Sequence, residues 1–378
     1  MSDLGPILTL WRALENAKAD YVLATVVAVE GSSYRKPGAR MLLAQDGRRA
    51  GTVSGGCLEA EVARRAWWLT SSGPVVERYS TQDDEDERPY GSGCGGVVFL
   101  LLERGETAGP LLRRLENAFK QRMPLAVATI LDGPQIGRRS IVGTTETTRA
   151  GSTYALDVEL EQIAQIAFDG RTSFEQILSL DGRPTRVLAD HRPARPGLWI
   201  FGAGDDAKPV VQFAQGLGWF VAVADGRSHL ATRDRFPSAD EVQVLPIFGL
   251  PQNAADHFSL RPTDAAVLMT HSFDQDARVL TSLLKAESLP AYLGVLGPQR
   301  RTRELLVEAA RLLGLPGTTA QIERWLAEMH APTGLDLGAD APATIALSII
   351  AEVQQALTAA TGQPLRTVRA MREIVTRC

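Results

Sequence analysis

Between residues 198 and 314, apolar runs of strand length alternate with segments of helical spacing: LWIFGAG, KPVVQFAQGLGW, FVAVADG, VLPIF, AAVLMTH, DARVLTSLLKA, AYLGVLG and TRELLVEAARLLG. Few folds accept such a pattern. Strands separated by helices pair in parallel, and a parallel sheet needs helices on both faces. The first run leads through Gly202-x-Gly204-x-x-Ala207 into a helix, and Asp225 closes the next strand, the spacing of a dinucleotide-type βαβ unit. Gly202 and Gly204 permit a tight turn and close approach of a phosphate to the helix N-terminus. Asp225 either accepts from a ribose hydroxyl or turns the chain before Gly226. Asp205 and Asp206 stand where a pyrophosphate would lie, and either repel it or cap the helix. The expectation is a Rossmann-like parallel α/β domain that binds NAD(P) weakly or not at all. Asp225, His271 and the loop at Pro298 should lie along one edge of its sheet.

The first half reads as mixed α+β. YVLATVVAVEGSS is β-rich, ARMLLAQDG and RRAGTVSGG form a hairpin turning at Asp46-Gly47, and LEAEVARRAWWL is helical. VVERYS and GGVVFLLLE are strands on either side of the acidic loop TQDDEDERPYGSG. TAGPLLRRLENAFKQR and ELEQIAQIAFDG have helical spacing, while PLAVATILDG and SIVGTT return to strand. RPTRVLADHRPARPG ends in a proline-rich linker, which divides the chain into residues 1–193 and a Rossmann-like domain with C-terminal helices, residues 194–378. ALSIIAEVQQALTAA is an amphipathic packing helix near the end.

A 44% apolar and 22% charged composition is that of a folded globular chain, and a net charge of −4 gives no reason to expect nucleic acid or an anionic membrane as partner. The N-terminus lacks a basic n-region, and no apolar run approaches the ~18 residues of a membrane span, so a cytoplasmic location is expected. Cys57, Cys94 and Cys378 are odd in number and widely spaced, which argues against a disulfide framework.

One cysteine is placed unusually. In GTVSGGCLEAEV, residues 51–62, Cys57 follows Ser54-Gly55-Gly56 and opens a helix, where backbone N–H groups stabilise a thiolate. It either packs at a close helix–sheet contact, reacts or binds. Cys94, in GSGCGG, is a second thiol in a glycine turn and otherwise only a tight entry into the next strand; two cysteines alone do not make a zinc site. His271 ends a strand with Asp274 and Asp276 just beyond, although a helix cap from Ser272 or Asp274 explains the stretch as well. Arg300, Arg301 and Arg303 either clamp a phosphate or form a solvated helix face, and His330 lies in a loop.

Several stretches in order resemble one family, the XdhC/CoxI-type maturation factors of molybdenum hydroxylases. They are GSSYRKPGARMLL, GTVSGGCLEAEV, GCGGVVFLLLE, LWIFGAGDDA with VADGR and RFPSAD, VLMTH, YLGVLGPQRRTREL and HAPTGLDLGADAPATIALSIIAEV. The segment from about 105 to 185 matches more loosely. The chain departs from the family's pattern at Asp205, where members often carry histidine, and at Thr270-His271-Ser272-Phe273, where T-H-x-H is frequent.

The resemblance implies a chaperone that transiently binds molybdenum cofactor, keeps it for sulfuration by a cysteine desulfurase and aids its insertion into an apo xanthine dehydrogenase-type enzyme. A homodimer is expected. It implies a cofactor site drawn from Ser54, Gly55, Gly56, Cys57, Arg35, Lys36 and Cys94, with Cys57 as the soft metal ligand, and from Gly202, Gly204, Asp225, His271 and Arg300. Two other functions remain open to the residues. One is an NAD(P)-dependent oxidoreductase with His271 as its acid–base residue; the other is a binding module that uses an empty Rossmann fold for protein contacts.

Overall fold

The computed structural model describes residues 3–56, 58–80, 96–143, 155–180, 182–246 and 258–368. Cys57, Cys94, Cys378 and the acidic loop before Gly96 lie outside these residues. The chain forms two compact units, Met1–Arg195 and Pro196–Cys378.

The first unit begins with α1 (Leu4–Ala17), whose Ile7, Leu8, Trp11 and Leu14 are buried at helical spacing. Next come β1 (Tyr21–Glu30), β2 (Arg40–Ala44), β3 (Arg49–Gly51), α2 (Glu59–Leu69), β4 (Val75–Ser80) and β5 (Val97–Arg104). These strands form an antiparallel sheet in the order β3-β2-β1-β5-β4. The expected hairpin is present as β2–β3. Buried residues of β1 alternate between two layers: Leu23 packs with α1 and α3 (Gly105–Gln121), whereas Val22, Ala24 and Val26 pack with α2. The second antiparallel sheet, ordered β7-β6-β9-β8, comprises β6 (Leu125–Ile130), β7 (Arg139–Gly143), β8 (Phe174–Leu180) and β9 (Arg183–Arg192), covered by α4 (Ala155–Gly170). Strand β8 is an addition to the sequence reading. Among the described residues only β9 pairs with it, most of its residues are exposed, and FEQILSL therefore lacks a clean apolar alternation.

In the second unit the strands are β10 (Gly197–Phe201), β11 (Phe220–Asp225), β12 (Glu241–Val244), β13 (Ala265–Leu268) and β14 (Tyr292–Val295). They form one parallel sheet in the order β12-β11-β10-β13-β14, the α/β architecture expected. Leu198 and Ile200 pack beneath α5 (Ala207–Gly216) and α9 (Pro342–Thr358). Trp199 and Phe201 face α6 (Phe273–Lys285), α7 (Gln299–Leu312) and α8 (Thr319–Ala327). Burial on both faces explains why LWIF reads as an unbroken apolar run. The strand expected at VLPIF is found earlier: β12 ends at Val244, and Pro246 has no N–H with which to extend the ladder, while residues 247 and 248 lie outside the described residues.

The outer edge of β14 carries a parallel bridge from Gly294 to His330. His330 stacks on Tyr292 at 4.3 Å between ring centroids, and its Nδ1 lies 3.0 Å from Glu352 Oε1 on α9. Tyr292 OH and the Gly334 N–H each donate to Glu352 Oε2 at 2.6 Å.

Candidate functional site at the carboxyl edge of the parallel sheet

Asp225 is the last residue of β11, and His271 and Pro298 lie just beyond the carboxyl ends of β13 and β14, so the three expected positions share one edge. The glycine turn lies there too. Gly202 has φ +138°, and a Cβ on it would collide with the Met269 carbonyl oxygen, so glycine is required where β10 and β13 come together.

Asp225 is fully buried, and its carboxylate is occupied. It accepts from the Ala203 N–H at 2.8 Å, from the Arg227 N–H at 2.8 Å, and from Arg227 Nε and Nη2 at 3.0 and 2.7 Å. Burial pushes the carboxyl pKa up, but the Arg227 guanidinium and the backbone donors outweigh that and hold it below the ordinary aspartate value. Arg227 Nη2 also donates to the Thr270 carbonyl at 3.2 Å, tying β11 to β13. The expected ribose acceptor is thus a lock that fixes the glycine turn. The oxidoreductase reading needs that carboxylate free.

Asp205 and Asp206 do not cap α5; Asp206 occupies the N-cap position without a side-chain cap bond. Asp205 is 2.8 Å from Lys208 Nζ and 3.0 Å from Arg235 Nη2, and these hydrogen bonds hold its pKa below the ordinary value. Asp206 Oδ2 is 2.9 Å from His271 Nε2. Its other oxygen lies over Gly204, where a Cβ would collide with it.

Ser272 caps α6 by accepting from the Gln275 N–H, which bears out the cap reading for that stretch. Thr270 Oγ1 donates to the buried Asp276 at 2.7 Å, and Arg301 Nη2 donates to the same carboxylate at 2.7 Å. Arg300, the arginine singled out from sequence, has an 88% exposed side chain and stands 3.8 Å from Glu304 on its own helix. Helical geometry turns consecutive residues about 100° apart, so Arg301 reaches the edge while Arg300 faces solvent. Arg303 pairs with Glu323.

The Ser54-Gly55-Gly56 turn enters α2 in the first unit. Glu59, buried in the first turn of α2, folds back onto it: Oε1 accepts from the N–H groups of Val53 (3.2 Å) and Ser54 (2.9 Å), and Oε2 from Ser54 Oγ at 2.6 Å. Ser54 Oγ in turn accepts from the N–H groups of Gly56 and Leu58. The N–H groups of Ser54 and Gly56 are therefore spent on the chain's own groups rather than left to face an anion. Burial raises the Glu59 pKa, but the Ser54 hydroxyl and backbone donors outweigh it and set it below the ordinary value. Arg35 pairs with Asp3, and Lys36 is exposed. Cys57 and Cys94 belong to the undescribed residues.

The guanidinium nitrogens Arg35 Nε, Arg40 Nε, Arg139 Nη1 and Arg235 Nε are buried without a hydrogen-bond partner among the described residues. Such donors fit a phosphate group. Among the described residues no three histidine, cysteine or acidic side chains gather in a metal-holding cluster, and no helix is long and apolar enough to cross a membrane.

The family model for the XdhC Rossmann domain matches residues 198–353, and that for the XdhC and CoxI family matches residues 14–80. The chain belongs to the XdhC and CoxI family. It is 29% identical over 355 residues to a probable xanthine dehydrogenase subunit of Bacillus subtilis, covering 93% of this chain and 98% of that protein. It is 28% identical over 343 residues to the molybdenum cofactor insertion chaperone PaoD of Escherichia coli, covering 88% of this chain and 82% of that protein. A crystal structure described as a xanthine dehydrogenase from Bacillus halodurans superposes with a TM-score of 0.69 at 28% identity, covering 93% of this chain and 96% of the other. Arg227 and Arg235, which sequence reasoning did not single out, stand in VADGR and RFPSAD, two of the stretches that carry the XdhC/CoxI resemblance.

Proposed function

We propose that this chain is a maturation chaperone whose cargo is the molybdenum cofactor. It binds the cofactor transiently, keeps it for sulfuration by a cysteine desulfurase and inserts it into an apo molybdenum hydroxylase of the xanthine dehydrogenase type, acting in the cytoplasm as a homodimer. The observation that carries the reading is the match to a molybdenum cofactor insertion chaperone over 88% of this chain. A match of that extent includes both compact units rather than the widespread Rossmann fold alone.

The cargo brings a dithiolene-held molybdenum centre and a phosphate. Arg35 and Lys36 are the proposed holders in the first unit, with Cys57 as the soft ligand. These groups bind and orient; the chain itself is assigned no chemical step.

The reading is tested by oxidising the purified protein, measuring the fluorescent pterin released, and assaying activation of a cognate apo-dehydrogenase. Pterin release with activation is expected; a protein that does neither ends the proposal. Cys57→Ser should lower both signals, and Cys94→Ser should lower them less. Full loading and full activation by Cys57→Ser would mean that the thiol only packs.

A further inference from the structure

The parallel sheet changes direction of growth at β10: β11 and β12 lie to one side of it, β13 and β14 to the other. Loops that leave β10 and β13 therefore part in opposite directions and open a crevice, the place where open α/β sheets receive their ligands. In this protein a pair of side chains spans that crevice. Asp206 comes from the loop after β10 and His271 from the loop after β13, and they meet at 2.9 Å.

We propose that the Asp206–His271 pair is a latch that excludes phosphate-bearing ligands, dinucleotides included, from the switch-point crevice. The carboxylate lies over the α-carbon of Gly204, on the face that a Gly-x-Gly turn leaves bare for a phosphate. It therefore blocks by volume and by charge at once. Asp205 does neither: its side chain is 81% exposed, and Lys208 and Arg235 neutralise it. His271 holds the latch closed from the opposite loop, at φ +59°, a left-handed conformation that costs energy for any residue but glycine. The latch does not hold the turn together, because that work falls to Asp225, which binds the Ala203 N–H between the two glycines. The inference is independent of the cargo named above.

Titration calorimetry with ADP and with inorganic pyrophosphate tests it. The wild-type protein should give no saturable heat at millimolar ligand. Asp206→Ala should tighten ADP binding by an order of magnitude or more; no cap bond is lost, since Asp206 makes none. His271→Gly should give a smaller gain, because the freed carboxylate swings toward water, and glycine suits the positive φ. Asp205→Ala should change affinity no more than twofold. Micromolar ADP binding by the wild type would overturn the proposal. So would Asp206→Ala and His271→Gly proteins that melt no lower than the wild type and bind ADP no more tightly.

Discussion

Two glycine turns, Ser54-Gly55-Gly56 and Gly202-Ala203-Gly204, lead into helices in different halves of the chain, and each offers backbone donors at a helix N-terminus. In each, a carboxylate of the chain itself has taken the place of an external anion. The first turn gives Glu59 two tasks: it holds the backbone by accepting from Val53 and Ser54, and it fills the space an anion would need. The second turn separates them, with Asp225 holding and Asp206 filling. Only a turn built in the second way can exchange its filling group without coming undone. Exposure agrees: Asp225 is fully buried, whereas the Asp206 side chain is 22% exposed.

The largest test of that contrast is Asp225→Ala. It leaves Arg227 and the Ala203 N–H without their shared partner, and should cost about 4 kcal/mol of unfolding free energy in urea melts. A loss as small as that from Asp206→Ala would abolish the distinction between holding and filling. Glu59→Ala should come next at about 3 kcal/mol, since it orphans two N–H groups and a buried hydroxyl. Acid sharpens the comparison further. The folded pKa of Glu59 lies below its ordinary value, so its contribution is complete above the unfolded pKa near about 4.3 and is lost as pH falls through the folded value. The stability gap between wild type and Glu59→Gln should accordingly narrow between about pH 5 and pH 3, and a gap that widened would reverse the assignment. The smallest effect belongs to His271→Gly, where relief at φ +59° should raise stability by about 0.5 kcal/mol, read as a small rise in thermal midpoint.

How far the sequence foretells these sites follows from the range of the interactions. The parallel sheet was legible because both of its faces are buried, which writes LWIF and FVAVAD as apolar runs separated by helices. The gathering of Asp225, His271 and Pro298 followed from topology alone. Partner choice was not legible. Asp206 and His271 are separated by 65 positions, and Ala203 and Asp225 by 22, so their contacts exist only after strands β10, β11 and β13 align. Arg300 and Arg301 are adjacent in sequence, and only the rotational phase of α7 decides which one meets Asp276. The Glu59 fold-back was closer to hand, because a glutamate in the first helical turn is a familiar partner of the residues just before it. What hid it was the attraction of the neighbouring cysteine.

The meeting of Tyr292, His330 and Glu352 bears on a different hazard. The rim strand of an open sheet offers unpaired backbone to any passing chain, and proteins guard against that adhesion by covering or charging it. Here the stretch at His330 lies along the rim of β14, and α9 fastens it there through one glutamate. Helix α9 thus serves as a clasp on the sheet's selvedge. A chain cut short before Pro342 should therefore be lost to clumping rather than to simple unfolding, and light scattering on the shortened protein would report it.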